Sequence, residues 1–383
     1  MINYLEGLKG DFGELIAYEF FKNFALSMLG IFIPILIYSE TNSLWMPAVY
    51  LISRALMSAV SGFPVMKIIN RYSFRSGLYL SYVFLLPAIL LIYFMSPNLA
   101  VTATVAFLYS IGSTFHSESM RLEFAEDSTR EDREMETAEL MSIPNIGRFL
   151  GPIVGGFASS IGGFQTMLGI ALASVLVSLI PARMISLKQK TTELKASELF
   201  NYEYLKYVPV FISRGIQAYA SVALFSLFTY IFVAGSISSG LVRSLDTVGF
   251  MVMAYLSGYI SSKHSRSKII LVGAFFAGIV YLLRTTVSTP LEAFMISIAG
   301  GLAFKLYDIP LFSNYADSAE DNEERSFYAA EKVFNAVGKS ITGFFFLGAF
   351  LFYSPRTAFN SVFILAAAST ALMVFGNHLA GEK

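Results

Sequence analysis

IFIPILIY (31–38) and ILLIYFM (89–95) place apolar side chains at successive positions. A strand of a membrane barrel would alternate lipid-facing and lumen-facing residues, and these runs do not. They read instead as pieces of helices whose solvent is lipid or other apolar helices. A helix needs about 20 predominantly apolar residues to cross a bilayer. Worked outward, the chain offers twelve such spans: 15–38, 44–69, 75–95, 99–124, 137–160, 164–187, 204–233, 239–262, 268–287, 290–313, 329–353 and 355–378. Pro34, Pro47, Pro87 and Pro152 fall inside them, as membrane helices tolerate where neighbours satisfy the freed backbone groups.

Composition agrees. Of 383 residues only 14% are charged, against about 25% in soluble domains. That share cannot cover a soluble surface around a chain that is 55% hydrophobic with a mean hydropathy of +0.61. A formal net charge of zero leaves no nucleic-acid footprint. The absence of Cys excludes disulfides, thiolate catalysis and Cys-ligated metals. The stretch 1–14 carries Glu6, Lys9, Asp11 and Glu14 and lacks the pattern of a cleaved signal peptide.

Lys and Arg set the orientation. Sixteen of the 27 lie at the termini or in the loops after spans 2, 4, 6, 8 and 10, while Arg243, Arg284 and Arg356 lie near span ends on the other side. Both termini are therefore expected in the cytoplasm, with the protein multi-pass in the cell membrane.

The sequence also repeats. At a shift of 192, Lys22 falls on Arg214, Arg71 on Lys263 and Arg54 on Asp246; at 191, Gly147-Arg148 falls on Gly338-Lys339. Two six-span units are the pattern of a duplicated transporter with its cargo held between them. The expected division is 1–187, a polar cytoplasmic linker 188–203, and 204–383.

Three segments carry a family resemblance. Gly258-Tyr-Ile-Ser-Ser262-Lys263-His-Ser265-Arg266 has the spacing of the loop signature Gly-x-x-x-Asp-Arg/Lys-x-Gly-Arg, and Asn70-Arg71-Tyr72-Ser73-Phe74-Arg75 is a weaker copy. Gly147-Arg148-Phe-Leu-Gly151-Pro152-Ile-Val-Gly155-Gly156 matches the span 5 signature of antiporters. The chain thus resembles the major facilitator superfamily, nearest in pattern to its drug/proton antiporter-like branch. The resemblance implies an all-α integral membrane fold of twelve helices in two pseudo-symmetric bundles. It also implies helix 5 on helix 8, helix 2 on helix 11, and a central cavity lined by helices 1, 4, 7 and 10. The loop Asp of the signature is Asn70 in one half and Ser262 in the other, so its charge latch is reduced to hydrogen bonds. On physical grounds alone, glycines four apart leave one helix face bare, so Gly151 and Gly155 are expected to meet another helix closely.

Charges inside spans are costly and need a partner or a wet cavity. They gather on the four cavity helices: Glu19 and Lys22, His116 and Glu118, Arg214 with Gln217, and Lys305 with Asp308. Glu19–Lys22 and Lys305–Asp308 are one turn apart and could pair. Two readings stand for the group: an ion-pair network at the cytoplasmic gate, and a site for substrate and proton, since a carboxylate in a cavity that closes and dries can load and release a proton. Asp246 could latch onto Arg148 across the halves.

Other chemistries lack their residues. Gly338-Lys339-Ser340 resembles the end of a phosphate loop, but position 333 is Val where that loop needs Gly. His116, His264 and His378 are too scattered for a zinc site. No enzyme activity, metal or cofactor is expected. The leading reading is a monomeric secondary transporter coupled to protons that exports small amphipathic molecules. The alternatives are a symporter or uniporter for an anionic metabolite, argued from Lys22, Arg214 and Lys305, and a receptor or scaffold on the same fold.

Overall fold

The computed structural model describes residues 11–127, 133–185, 205–261, 265–319 and 324–373. All of it is helical apart from short connections. We label the segments α1 (Asp11–Thr41), α2 (Trp45–Tyr72), α3 (Phe74–Phe94) and α4 (Leu99–Asp127). The run Arg133–Val177 breaks at Gly163 into α5 (133–162) and α6 (164–177, continued by Leu179–Met184). Then come α7 (208–234), α8 (Gly235–Ser261), α9 (Arg266–Arg284), α10 (Pro290–Ala319), α11 (Glu324–Phe352) and α12 (Pro355–Ser369).

Nine helical stretches among the described residues are long and apolar enough to cross a membrane. Two of them, Asn145–Met184 and Val208–Leu256, have 40 and 49 residues. Straight, they would reach about 60 and 74 Å at the α-helical rise, about twice a hydrocarbon core or more. Each is broken by a glycine at positive φ, Gly163 (φ 78°) and Gly235 (φ 68°). Only glycine enters that region at no steric cost, so these two positions turn the chain back. Elsewhere the turns use side-chain caps: Ser73 Oγ accepts from the Ser76 amide at α3, and Ser354 Oγ from the Thr357 amide at α12. Apolar residues such as Tyr255, Phe352, Ile161 and Phe94 stand outward on the flanks, as they do where lipid is the solvent.

Helix pairing repeats between the two halves of the chain. α1 packs on α5 as α7 does on α11; α2 and α3 pack on α4 as α8 and α9 do on α10. The repeat holds at single residues. Gly147 sits against the Phe20 carbonyl and Gly338 against that of Ile212. Across the halves, α5 packs on α8 and α2 on α11, as the resemblance implied. One side of the molecule, the upper, gathers the end of α1, the start of α6 and the end of α7, where Tyr38 and Phe164 meet Tyr230. The lower side holds the start of α1.

The glycine-rich face of α5 divides between two partners. Gly147 and Gly151 lie against α1 at Phe20 and Phe24, and a Cβ on Gly155 would come within 2.6 Å of Met28 and 2.8 Å of Phe32. Gly156 turns to α8, where a Cβ would meet the Ser236 carbonyl at 2.9 Å, and Gly240 of α8 abuts the Pro152 carbonyl. The contact between halves therefore runs through Gly156, Pro152 and Gly240, while Gly151 and Gly155 pack within the first half. Gly240→Leu should wedge α8 off α5 at a cost of about 1–3 kcal/mol, since backbone stands in its way. The check is a Ser236→Cys reporter, unique because the chain has no cysteine: its labelling by an impermeant maleimide should rise when Gly240→Leu is added, and an unchanged rate would refute the wedge.

Several boundaries differ from expectation. Asn70 and Arg71 are not loop residues: α2 runs to Tyr72 and α3 starts at Phe74. Gly258 likewise lies inside α8. Ser262, Lys263 and the linker 188–203 lie outside the described residues. α7 contains two π-helical stretches, Tyr219–Leu224 and Tyr230–Ala234, which no local pattern announced.

Candidate functional site

The charges picked out on α1, α4, α7 and α10 do converge, in a belt across the lower part of the bundle. In the first half, Glu19 is buried on α1. Its Oε2 accepts a 2.7 Å hydrogen bond from Asn23 Nδ2, and its Oε1 lies 3.5 Å from His116 Nε2 on α4. His116 Nδ1 meets the Tyr18 hydroxyl at 2.8 Å. With that hydroxyl donating to Nδ1, the ring's own proton sits on Nε2 and faces Glu19. Arg148 of α5 donates from Nε to Asn23 Oδ1 at 2.9 Å. The row Arg148–Asn23–Glu19–His116–Tyr18 thus ties three helices together.

Lys22 is fully buried but does not pair with Glu19. Its Nζ donates to Ser81 Oγ at 3.1 Å and lies 3.5 Å from the centre of the Tyr82 ring, both on α3. One-turn spacing put the two side chains on neighbouring positions, but the Lys22 stem reaches toward α3 while Glu19 reaches toward α4. No carboxylate lies within 4 Å of its ammonium among the described residues.

In the second half, Arg214 of α7 reaches Asp308 Oδ1 at 2.6 Å and Glu331 Oε1 at 2.7 Å, joining α7 to α10 and α11. Lys305 donates to Asp308 Oδ2 at 2.7 Å, so this one-turn pair forms, and its ammonium lies 4.0 Å from the centre of the Phe250 ring on α8. Gln217 accepts from the Tyr307 hydroxyl at 2.5 Å and donates to Ser213 Oγ at 2.8 Å. The two halves meet where Lys332 Nζ of α11 lies 3.1 Å from Glu118 Oε1 of α4 and 2.8 Å from Ser117 Oγ. Glu118 is fully buried.

Other picks go elsewhere. Asp246 pairs with Arg243 on its own helix, not with Arg148; Arg148 is engaged by Asn23 and Asn145. Arg75 donates to the Arg183 carbonyl at 2.5 Å, fastening α3 to the end of α6. Arg71 lies over the Tyr72 ring, and Arg266 opens α9. Sequence reasoning missed Glu331 and Lys332, although an acid–base dipeptide inside a span was a visible signal. It also missed Tyr18, Asn23 and Tyr307, which nothing in their spacing separates from packing residues.

The sequence pattern of the Major Facilitator Superfamily matches residues 15–342, and the chain belongs to that superfamily of transporters. Among solved structures it resembles a single-residue variant of the fucose:proton symporter FucP of E. coli, at a TM-score of 0.65 and 12% identity over 97% of this chain and 98% of that one. It also resembles a bacterial homologue of the human drug peptide transporters PepT1 and PepT2, at 0.70 and 10% over 96% of each. At these identities the likeness concerns the fold. No curated protein sequence matches significantly.

Proposed function

We propose that the chain is a monomeric, proton-coupled secondary active transporter that exports small amphipathic organic molecules across the cell membrane by alternating access. In this reading twelve helices form two six-helix halves, 1–187 and 204–383, joined by 188–203, and the lower side faces the cytoplasm with both termini. The observation that carries the reading is the Glu19–His116 contact. A buried carboxylate faces a titratable ring and no Lys or Arg within 4 Å among the described residues. Such a pair can hold one proton and give it up when its side opens to water. The Glu118–Lys332 contact between α4 and α11 closes the cytoplasmic side while the proton is held. The α5–α8 glycine contact, matching the antiporter signature, supports export.

The reading of an anionic cargo keeps one support. Arg214 and Lys305 are neutralised by Asp308 and Glu331, whereas Lys22 has no carboxylate beside it among the described residues. The test uses purified protein in vesicles loaded with a pH-sensitive dye. Ethidium and taurocholate are permanently charged and cannot carry protons themselves. Adding them outside should move protons in protein-containing vesicles and not in empty ones. If neither moves protons through folded protein, proton-coupled transport of amphipathic cargo is wrong.

A further inference from the structure

Arg54 of α2 occupies a different place from the lower belt. It lies about 14 Å along α2 from Trp45, and its neighbour Tyr109 about 15 Å along α4 from Leu99, by helical rise. With Trp45 and Leu99 at its edge, that is about the middle of a hydrocarbon layer about 30 Å thick. The guanidinium lies 4.6 Å from the centre of the Tyr109 ring and is flanked by Tyr50 and by Tyr219 of α7. The Tyr219 hydroxyl donates to the Leu51 carbonyl at 3.1 Å, so α7 of the second half is fastened to α2 beside Arg54. The fully buried Tyr50 hydroxyl lies next to the guanidinium without a hydrogen bond of normal geometry.

No carboxylate lies within 4 Å of this arginine among the described residues. The other arginines within the helices have polar partners at hydrogen-bond distance: Arg214 has Asp308 and Glu331, Arg243 has Asp246, the more exposed Arg148 has Asn23, and Arg284 donates to Ser221 at 2.7 Å. Asp246, the residue a shift of 192 sets against Arg54, is taken by Arg243. An arginine held at mid-depth among tyrosines, with no carboxylate within 4 Å among the described residues, is costly, and the cost is relieved by an anion that arrives. Its planar fork fits a carboxylate with two parallel hydrogen bonds. The three tyrosines beside it, from both halves, would cover an apolar body attached to that carboxylate.

We infer that Arg54, with Tyr50, Tyr109 and Tyr219, is the recognition site for the carboxylate of an amphipathic organic anion carried by this protein. The inference rests on the transport reading above and narrows its cargo. A cargo bound there touches α2, α4 and α7 together, so it is held by both halves midway through the membrane.

The experiment measures binding to the full chain in detergent by isothermal titration. Three carboxylates, 3-phenylpropionate, octanoate and indole-3-acetate, are each paired with their carboxamide. At least one carboxylate should bind at least roughly tenfold more tightly than its amide, the scale of a charge-assisted pair. Arg54→Gln should remove that difference, and Arg54→Lys should retain part of it. The inference is overturned if no carboxylate exceeds its amide in the parent protein, a comparison that needs no variant to fold. It is also overturned if Arg54→Gln, melting as the parent does, keeps the preference within twofold. Binding is read without a proton gradient, so failure here leaves proton-coupled transport of other cargo standing, and absence of proton movement leaves this preference intact.

Discussion

Lys332→Ala is expected to open the lower side of the protein, the cytoplasmic one in the proposed orientation, shifting the population toward the state open there by at least about two orders of magnitude. Glu118 is fully buried and the Lys332 side chain is 14% exposed, at 3.1 Å across the two halves. Breaking a buried pair by removing one partner costs about 3–5 kcal/mol, and here it takes from Glu118 the ammonium 3.1 Å away while the Ser117 hydroxyl stays on Oε1. That cost falls only on the state in which α4 and α11 touch, so rocking the halves apart avoids it. Thr114 lies one turn above Glu118 and is buried. A cysteine there should react slowly with an impermeant maleimide added from the lower side in the parent and at least about a hundredfold faster with Lys332→Ala. Glu118→Gln combined with Lys332→Met should return most of the protection, since a pair of apolar or neutral groups carries no orphaned charge. Equal labelling in parent and Lys332→Ala would show that this contact does not hold the side closed.

The helices were legible because hydrocarbon leaves the backbone one solution at each crossing. Spans 2, 3, 4 and 9 fall within about three residues of their expected ends, and the break between spans 5 and 6 lies at Gly163, inside the gap left for it. The charged side chains were legible for the same reason: each one inside a span is too costly to be incidental. Which charge meets which was not. Spacing along one helix says only that two side chains can touch. Lys305–Asp308 do, but Lys22 turns to Ser81 and Tyr82 while Glu19 turns to His116. Those choices depend on helices 59 and more positions away in sequence. The cage around Arg54 was hidden for another reason. In a chain with 21 Tyr and 36 Phe, tyrosines that line a site look like tyrosines that face lipid until tertiary structure separates them.

Glu19→Gln should leave a transporter that exchanges its cargo but no longer concentrates it. In the parent, Asn23 holds Oε2 of the carboxylate at 2.7 Å, His116 stands 3.5 Å from Oε1, and Tyr18 steadies the far side of the ring. One proton added to this group makes it an internally neutral pair; the proton's departure leaves a buried negative charge. That state is tolerable only when water reaches it, so proton release and opening toward water are linked. A glutamine fits the same space, keeps an acceptor for Asn23 and carries no proton. The helices can then rock with or without a gradient, and cargo equilibrates. One pH unit is worth about 1.4 kcal/mol, or about tenfold accumulation for each coupled proton. In vesicles with a one-unit gradient and radiolabelled taurocholate, the parent should approach that ratio and Glu19→Gln should stay near unity, with counterflow within about threefold of the parent by the same scale. His116→Asn should move the pH at which accumulation falls off, because it removes the other titrating partner. Accumulation by Glu19→Gln at the parental ratio would place the coupling proton elsewhere in the belt, and Asp308 would be the wrong next choice: Arg214 and Lys305 already occupy both of its oxygens. Glu118 has a lysine whose distance must change as the halves move, so the proton would then be sought there.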